Sequence, residues 1–246
     1  MSAQPAAQGA LTPGWYGKIP ATGDFVVRRL PEAFREAWDR WLQQSMDGGR
    51  ERLGTQWQAN YLSMPPWRFL LSAGMLTPQA WTGVMVPSVD AVGRQFPLTI
   101  ACALPAVRLD LPGCLESARR WFDAIETIAL DALAPRAEVK KIDAAVSACP
   151  FPADALRSRE ETPDATVPFR SARAQMLVAS PAQAAGLVVQ LAEPCAVWLN
   201  GASELIAPCA LLCENLPSAA QFCGMMDGRW REHGWSSRDA RGAEAA

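Results

Sequence analysis

Histidine is almost missing from this chain: His233 is the only one in 246 residues. That absence excludes two-histidine metal sites and H-E-x-x-H zinc motifs, and it makes any Ser-His-Asp or Cys-His hydrolase depend on His233 alone. His233 stands in the Arg- and Trp-bearing segment Gly228 to Ser236, where a solvated side chain is expected. Also lacking are the G-x-x-x-x-G-K-[ST] and G-x-G-x-x-G runs that cradle nucleotide phosphates, and the G-x-S-x-G elbow and S-x-x-K pair that activate a nucleophilic serine. No apolar run reaches the roughly 18 to 20 residues needed to cross a bilayer. The charge is nearly balanced, with a formal net of -2 and a pI near 5.6, so no phosphate-binding surface spreads over the whole molecule.

What is present is ordinary for a folded chain, with 50% hydrophobic and 20% charged residues. Seven cysteines occur as an odd set without a C-x-x-C pair, which fits small buried hydrophobes in a reducing compartment rather than disulfides. Met1 to Thr12 lacks a basic start followed by an apolar stretch, so no secretory signal is expected there. The expected location is the cytoplasm.

The periodicity then places the elements. Trp15 to Ile19 and Asp24 to Arg28 read as two short strands around the turn Thr22-Gly23. Phe34, Trp38, Trp41, Leu42 and Met46 share one face of a helix from Pro31 to Asp47, with Gly48-Gly49 as its expected stop. A shorter helix is expected over Glu51 to Tyr61, then strands over Trp67 to Ser72, Trp81 to Val86 and Phe96 to Ala103. The connections between these strands are too short for crossover helices, so antiparallel pairing is expected. Helices follow at Leu115 to Leu133 and about Ala137 to Ser147.

Beyond them lie a strand at Ala174 to Ala179 and a helix capped by Ser180-Pro181-Ala182-Gln183. Strands at Cys195 to Leu199 and Cys209 to Cys213 precede a last helix capped by Ser218-Ala219-Ala220-Gln221. The resulting expectation is an α/β fold with a mostly antiparallel central sheet. Residues 1–13 and 236–246 read as flexible tails, and 14–148 as an N-terminal α/β domain. Residues 149–170 read as a proline-rich linker or loop, and 171–235 as a C-terminal α/β segment packed on the first domain.

Two polar bends stand out against these apolar strands. Between Pro87 and Leu98, Ser88, Asp90, Arg94 and Gln95 are grouped, with Arg94 a planar donor for a partner's carboxylate or phosphate. The same residues also suit an Asx-type turn, Asp90 accepting from nearby backbone N–H groups and Gly93 supplying positive φ. The second bend holds Thr22, Gly23 and Asp24. Asp24 and Asp90 as a shared Mg²⁺ site is the metal reading, and an Asp24 to Arg28 or Asp24 to Arg94 ion pair is the expected alternative. Cys209, Cys213 and Cys223 sit among apolar neighbours that suit a buried strand better than a metal site.

Several segments carry a family resemblance. Gly14-Trp15-Tyr16-Gly17-Lys18-Ile19-Pro20-Ala21-Thr22-Gly23-Asp24-Phe25-Val26 resembles the opening signature of the TagF (ImpM) family. So do Trp38-Asp39-Arg40-Trp41-Leu42, Pro65-Pro66-Trp67-Arg68-Phe69-Leu70, Gly83 to Asp90 and Val92 to Leu98. Val197-Trp198-Leu199 is similar to the family's C-terminal strand, with Leu199 where a second Trp is usual, and Ala91 stands where a basic residue is common. The resemblance implies a longin/profilin-like α/β fold flanked by helices. It also implies a post-translational repressor of a bacterial type VI secretion system that binds the system's forkhead-associated-domain scaffold.

With the bends, the resemblance gives a partner-binding set of Lys18, Asp24, Phe25, Arg28, Ser88, Asp90, Arg94 and Gln95. No catalytic residue, metal or cofactor is expected, nor any nucleic-acid partner or membrane insertion. The alternatives are a metal-assisted phosphatase-like enzyme using Asp24 and Asp90, or a structural subunit of the secretion apparatus.

Overall fold

A computed structural model describes residues 11–105, 114, 117–156, 175–177, 195–201 and 203–237. Among these residues the strands join into one nine-stranded sheet in the order β2-β1-β5-β4-β3-β7-β8-β6-β9. The strands are β1 (Gly14–Gly17), β2 (Val26–Arg28), β3 (Trp67–Leu71), β4 (Ala80–Val86), β5 (Leu98–Leu104), β6 (Gln175–Leu177), β7 (Ala196–Leu199), β8 (Ala210–Cys213) and β9 (Ser236–Ser237). Neighbours run antiparallel except β6 and β9, as the short connections require for β1–β2, β3–β4, β4–β5 and β7–β8. β4 is buried at every position, because helices cover both faces of the sheet.

The helices sort by face. On one side lie α1 (Glu32–Leu53), α2 (Trp57–Leu62) and α5 (Ala219–Asp227), over Phe69, Trp81 and Trp198. On the other lie α3 (Arg119–Asp131) and α4 (Val139–Ser147), packing Trp121, Phe122, Ile125 and Ile142 onto Trp15, Ile100 and Val197. Alternate residues of β7 thus enter different cores, as the two-residue strand period dictates. Trp38 is fully buried between Phe34, Trp41, Phe69 and Trp198. Its indole N–H donates to Thr99 Oγ1 at 2.9 Å. Burial of each such ring contributes about 1.5–3 kcal/mol, provided its polar edge finds a partner.

Gly48-Gly49 does not end α1; the helix runs on to Leu53 and stops at Gly54, whose φ is 51°. The two glycines serve close approach instead. A Cβ on Gly48 would lie 2.6 Å from the Cβ of Ala219 in α5, and one on Gly49 would lie 2.4 Å from the Trp57 ring. The expected helix over Glu51 to Tyr61 is divided, its first residues finishing α1, a 3₁₀ turn spanning Gly54–Gln56 and α2 supplying the rest.

The C-terminal strands join the sheet edge to edge. β7 pairs with β3, Leu199 opposite Arg68 and Ala196 opposite Leu71. α5 packs along α1, and Trp41 Nε1 donates to the Pro217 carbonyl at 2.8 Å while Trp67 Nε1 donates to that of Met225 at 3.1 Å. The capping box expected at Ser218 is complete, with Gln221 answering in both directions. The expected capping box at Ser180, the segment 157–170 of the proline-rich stretch, residues 115 and 116 of the long helix and residues 174, 178 and 179 of the expected strand lie outside the described residues. No described helix is long and apolar enough to cross a membrane.

Candidate functional site

The two polar bends meet at one end of the sheet because β1 and β5 are antiparallel neighbours. The bend that follows β1 therefore lies beside the bend that precedes β5. The Ala91 N–H donates to the Thr22 carbonyl at 2.8 Å, and Arg94 Nη2 donates to the Gly23 carbonyl at 2.5 Å.

Asp90 is the centre of this junction. Its side chain has no solvent exposure, and Oδ1 accepts from the N–H groups of Val92 at 3.1 Å and Arg94 at 2.8 Å. Oδ2 faces Arg94 Nε at 2.6 Å and Lys18 Nζ at 3.0 Å. Four donors fill the roughly four acceptor sites of a carboxylate. Burial pushes the Asp90 pKa up, but the Arg94 and Val92 N–H groups, the Lys18 ammonium and the Arg94 guanidinium outweigh it. The carboxyl is held well below its ordinary range. Gly93, at φ 83°, makes the turn, its N–H donating to the Asp90 carbonyl at 2.9 Å. The Asx-type turn is thus present together with the Arg94 side chain that the recognition reading singled out.

Ser88 works from inside. Its hydroxyl donates to the Lys18 carbonyl at 2.7 Å, and its own carbonyl accepts from the Tyr61 hydroxyl at 2.8 Å. Gln95 Oε1 accepts from Trp57 Nε1 at 2.6 Å, tying the bend to α2. Lys18, Ser88 and Asp90 are buried and Gln95 is half-buried, so the exposed part of the set is Asp24, Phe25, Arg28 and Arg94. Phe25 is 43% exposed; it stacks on Tyr16 at 5.4 Å, meets Phe96 edge-on at 4.8 Å, and has Lys18 Nζ 5.1 Å from its centroid. Val92, at the tip of the turn, is 74% exposed.

Two members of the expected set behave differently. Asp24 forms neither expected ion pair: its backbone carbonyl accepts from Thr22 Oγ1 at 2.9 Å, and its carboxylate is in none of the described ion pairs. Arg94 is committed to Asp90 instead, because a buried carboxylate offers stronger pairing than an exposed one. Arg28 turns to its own strand, Nη1 donating to the Val27 carbonyl at 2.7 Å. The described residues contain no group of three or more His, Cys, Asp or Glu that could hold a metal ion.

His233 is buried rather than solvated, with Nε2 2.9 Å from Asp227 Oδ2 and Nδ1 without a hydrogen-bond partner. The sequence signal for this was Asp227 one helical end away from a Trp-rich turn. Six of the seven cysteines are buried and Cys149 is half-buried. Sequence reasoning missed Arg35. Its Nε is buried without a hydrogen-bond partner, and its charge lowers the pKa of Tyr16, against which burial and Asp39 act more strongly. Only the helix register, which sets Arg35 one turn before Asp39, hinted at this.

The fold and the joined bends define an α/β protein whose sheet carries a preorganised polar rim at one end. The family model for the TagF N-terminal domain, type VI secretion system-associated, matches residues 14–149, which contain both bends. A crystal structure of PA0076 from Pseudomonas aeruginosa PAO1 is 35% identical, with a TM-score of 0.72 over 89% of this chain and 95% of that one. No curated protein matches. The chain belongs to the TagF family and is a type VI secretion-associated protein.

Proposed function

We propose that this protein is a non-enzymatic, post-translational repressor of a type VI secretion system. In this reading it acts in the cytoplasm by binding another protein of the apparatus, with the forkhead-associated-domain scaffold as its first candidate partner. The observation that carries this reading is the state of Asp90. Its acceptor sites are occupied by Lys18, Arg94 and two backbone N–H groups, so it has no lone pair left for a cation or a substrate proton. The same bonds hold Val92 and Arg94 toward solvent, and Tyr16, Phe96 and Lys18 hold Phe25 beside them, which suits recognition. Seven of the eight residues expected to bind a partner lie in or beside the two bends, with Arg28 on the adjoining strand.

The test measures export of type VI substrates into the medium by a deletion strain complemented with wild type or with Phe25→Asp. Deletion should raise export, wild type should lower it, and Phe25→Asp should leave it high at normal protein abundance. Affinity purification of the wild-type chain should recover the scaffold in substoichiometric amounts. Export unaffected by deletion would overturn the repressor reading, and recovery at fixed stoichiometry would favour a structural subunit.

A further inference from the structure

We infer that the rim formed by Phe25, Val92 and Arg94 seats an acidic segment of the partner protein, one that sets an apolar side chain on Phe25 and a carboxylate against Arg94. The inference rests on the partner-binding reading above and adds the chemistry of the occupant.

Arg94 is the charged anchor. Its guanidinium is gripped on one edge, Nε on Asp90 and Nη2 on the Gly23 carbonyl, while the side chain remains 60% exposed. Nη1 has no hydrogen bond among the described residues. A guanidinium held this way loses little rotamer freedom when it binds an anion, and its planar fork suits a carboxylate.

The charges favour one source of the anion. In a chain of formal net charge -2, the cations Lys18 and Arg94 meet the one carboxylate of Asp90 here, while exposed Asp24 and Arg28 offset each other. The small positive excess suits a carboxylate. A phosphate carries close to two charges and calls for a denser arginine cluster without an exposed aspartate beside it. Phe25 and Val92 supply the apolar part of the contact, flanked by charge as docking surfaces are.

The experiment places the photoreactive amino acid p-benzoylphenylalanine at Val92 in the full chain inside the secreting strain. The crosslinked partner peptide is read by mass spectrometry, and the same residue at exposed Leu130 on α3 serves as the comparison. Adducts at Val92 to a peptide with clustered Asp or Glu beside an apolar residue are expected. Val92→Asp should lower recovery of that partner at least tenfold and Val92→Lys should not. Both side chains would stand in solvent, so folding is not at issue.

Adducts from Leu130 but not Val92 would overturn the inference and leave the partner-binding reading standing. An adduct to a phosphorylated or basic peptide, or equal losses in the Asp and Lys variants, would also overturn it. No adduct and no recovered secretion protein would overturn both readings.

Discussion

Lys18 Nζ lies 3.0 Å from Asp90 Oδ2, and both side chains are nearly or fully withdrawn from solvent. This contact joins the residue after β1 to the bend before β5, so the geometry of the rim depends on one charge. A buried carboxylate is stabilising only while its cations remain opposite it, and its removal strands them.

Asp90→Asn should therefore lower the thermal midpoint more than Arg94→Gln does. Asparagine leaves Lys18 buried against a neutral group, whereas Arg94 is 60% exposed and can turn to water. The acid limb should change as well. The folded-state pKa of Asp90 is depressed below its ordinary 3.8, so its contribution is present above that pH and is lost as pH falls below about 4 toward the folded value. Midpoints measured from pH 7 down to pH 2 should converge for wild type and Asp90→Asn. A gap that stays constant would refute this origin.

Gly49→Ala should destabilise the protein although alanine is the better helix former. Propensity favours the change by about 0.5–1 kcal/mol. The new Cβ, 2.4 Å from the Trp57 ring, forces a shift that costs about 1–3 kcal/mol. Gly23→Ala, with nothing within 4 Å of the added Cβ, should stay within about 0.5 kcal/mol in the same urea titration.

Ser218→Ala removes the side-chain oxygen that accepts from the Gln221 N–H at 3.3 Å and opens the box in which Gln221 Oε1 accepts from the Ser218 N–H at 2.8 Å. A loss of about 1 kcal/mol is expected from urea denaturation. Threonine at the same position should restore most of it.

Thiol labelling should separate the cysteines. Burial pushes Cys102 and Cys209 up to about 12 and raises Cys149 and Cys213, so little reactive thiolate exists at pH 8. Cys149, half-buried, should react first with a chromogenic aromatic disulfide, and the buried six should follow only as the protein unfolds. Rapid labelling of a buried thiol in native protein would contradict this packing.

Much of this was legible along the chain. The face of α1, the strands β3, β4 and β5 and the cap at Ser218 follow from local period and local hydrogen bonding, which a sequence displays directly. The junction of the two bends does not, since Ala91 and Thr22 meet only after β1 has paired with β5. Gly48-Gly49 read as a stop because local propensity was weighed without the distant Ala219 and the ring of Trp57 that require small residues there. Asp24 read as an ion-pair partner, but Asp90 took both nearby cations because it is the buried carboxylate. His233 read as solvated until α5 brought Asp227 beside it. Each difference arises from a contact that the local period does not display.

The pairing of β3 with β7 bears on how this protein can be divided. A fragment ending near residue 149 would keep both bends yet strip the backbone of Arg68 to Leu71 of its partners in β7 and lay the indoles of Trp38, Trp41 and Trp67 open to water. Such a bare, flat and apolar margin invites chain-to-chain stacking. The portion that carries the two bends depends on the remainder for its solubility.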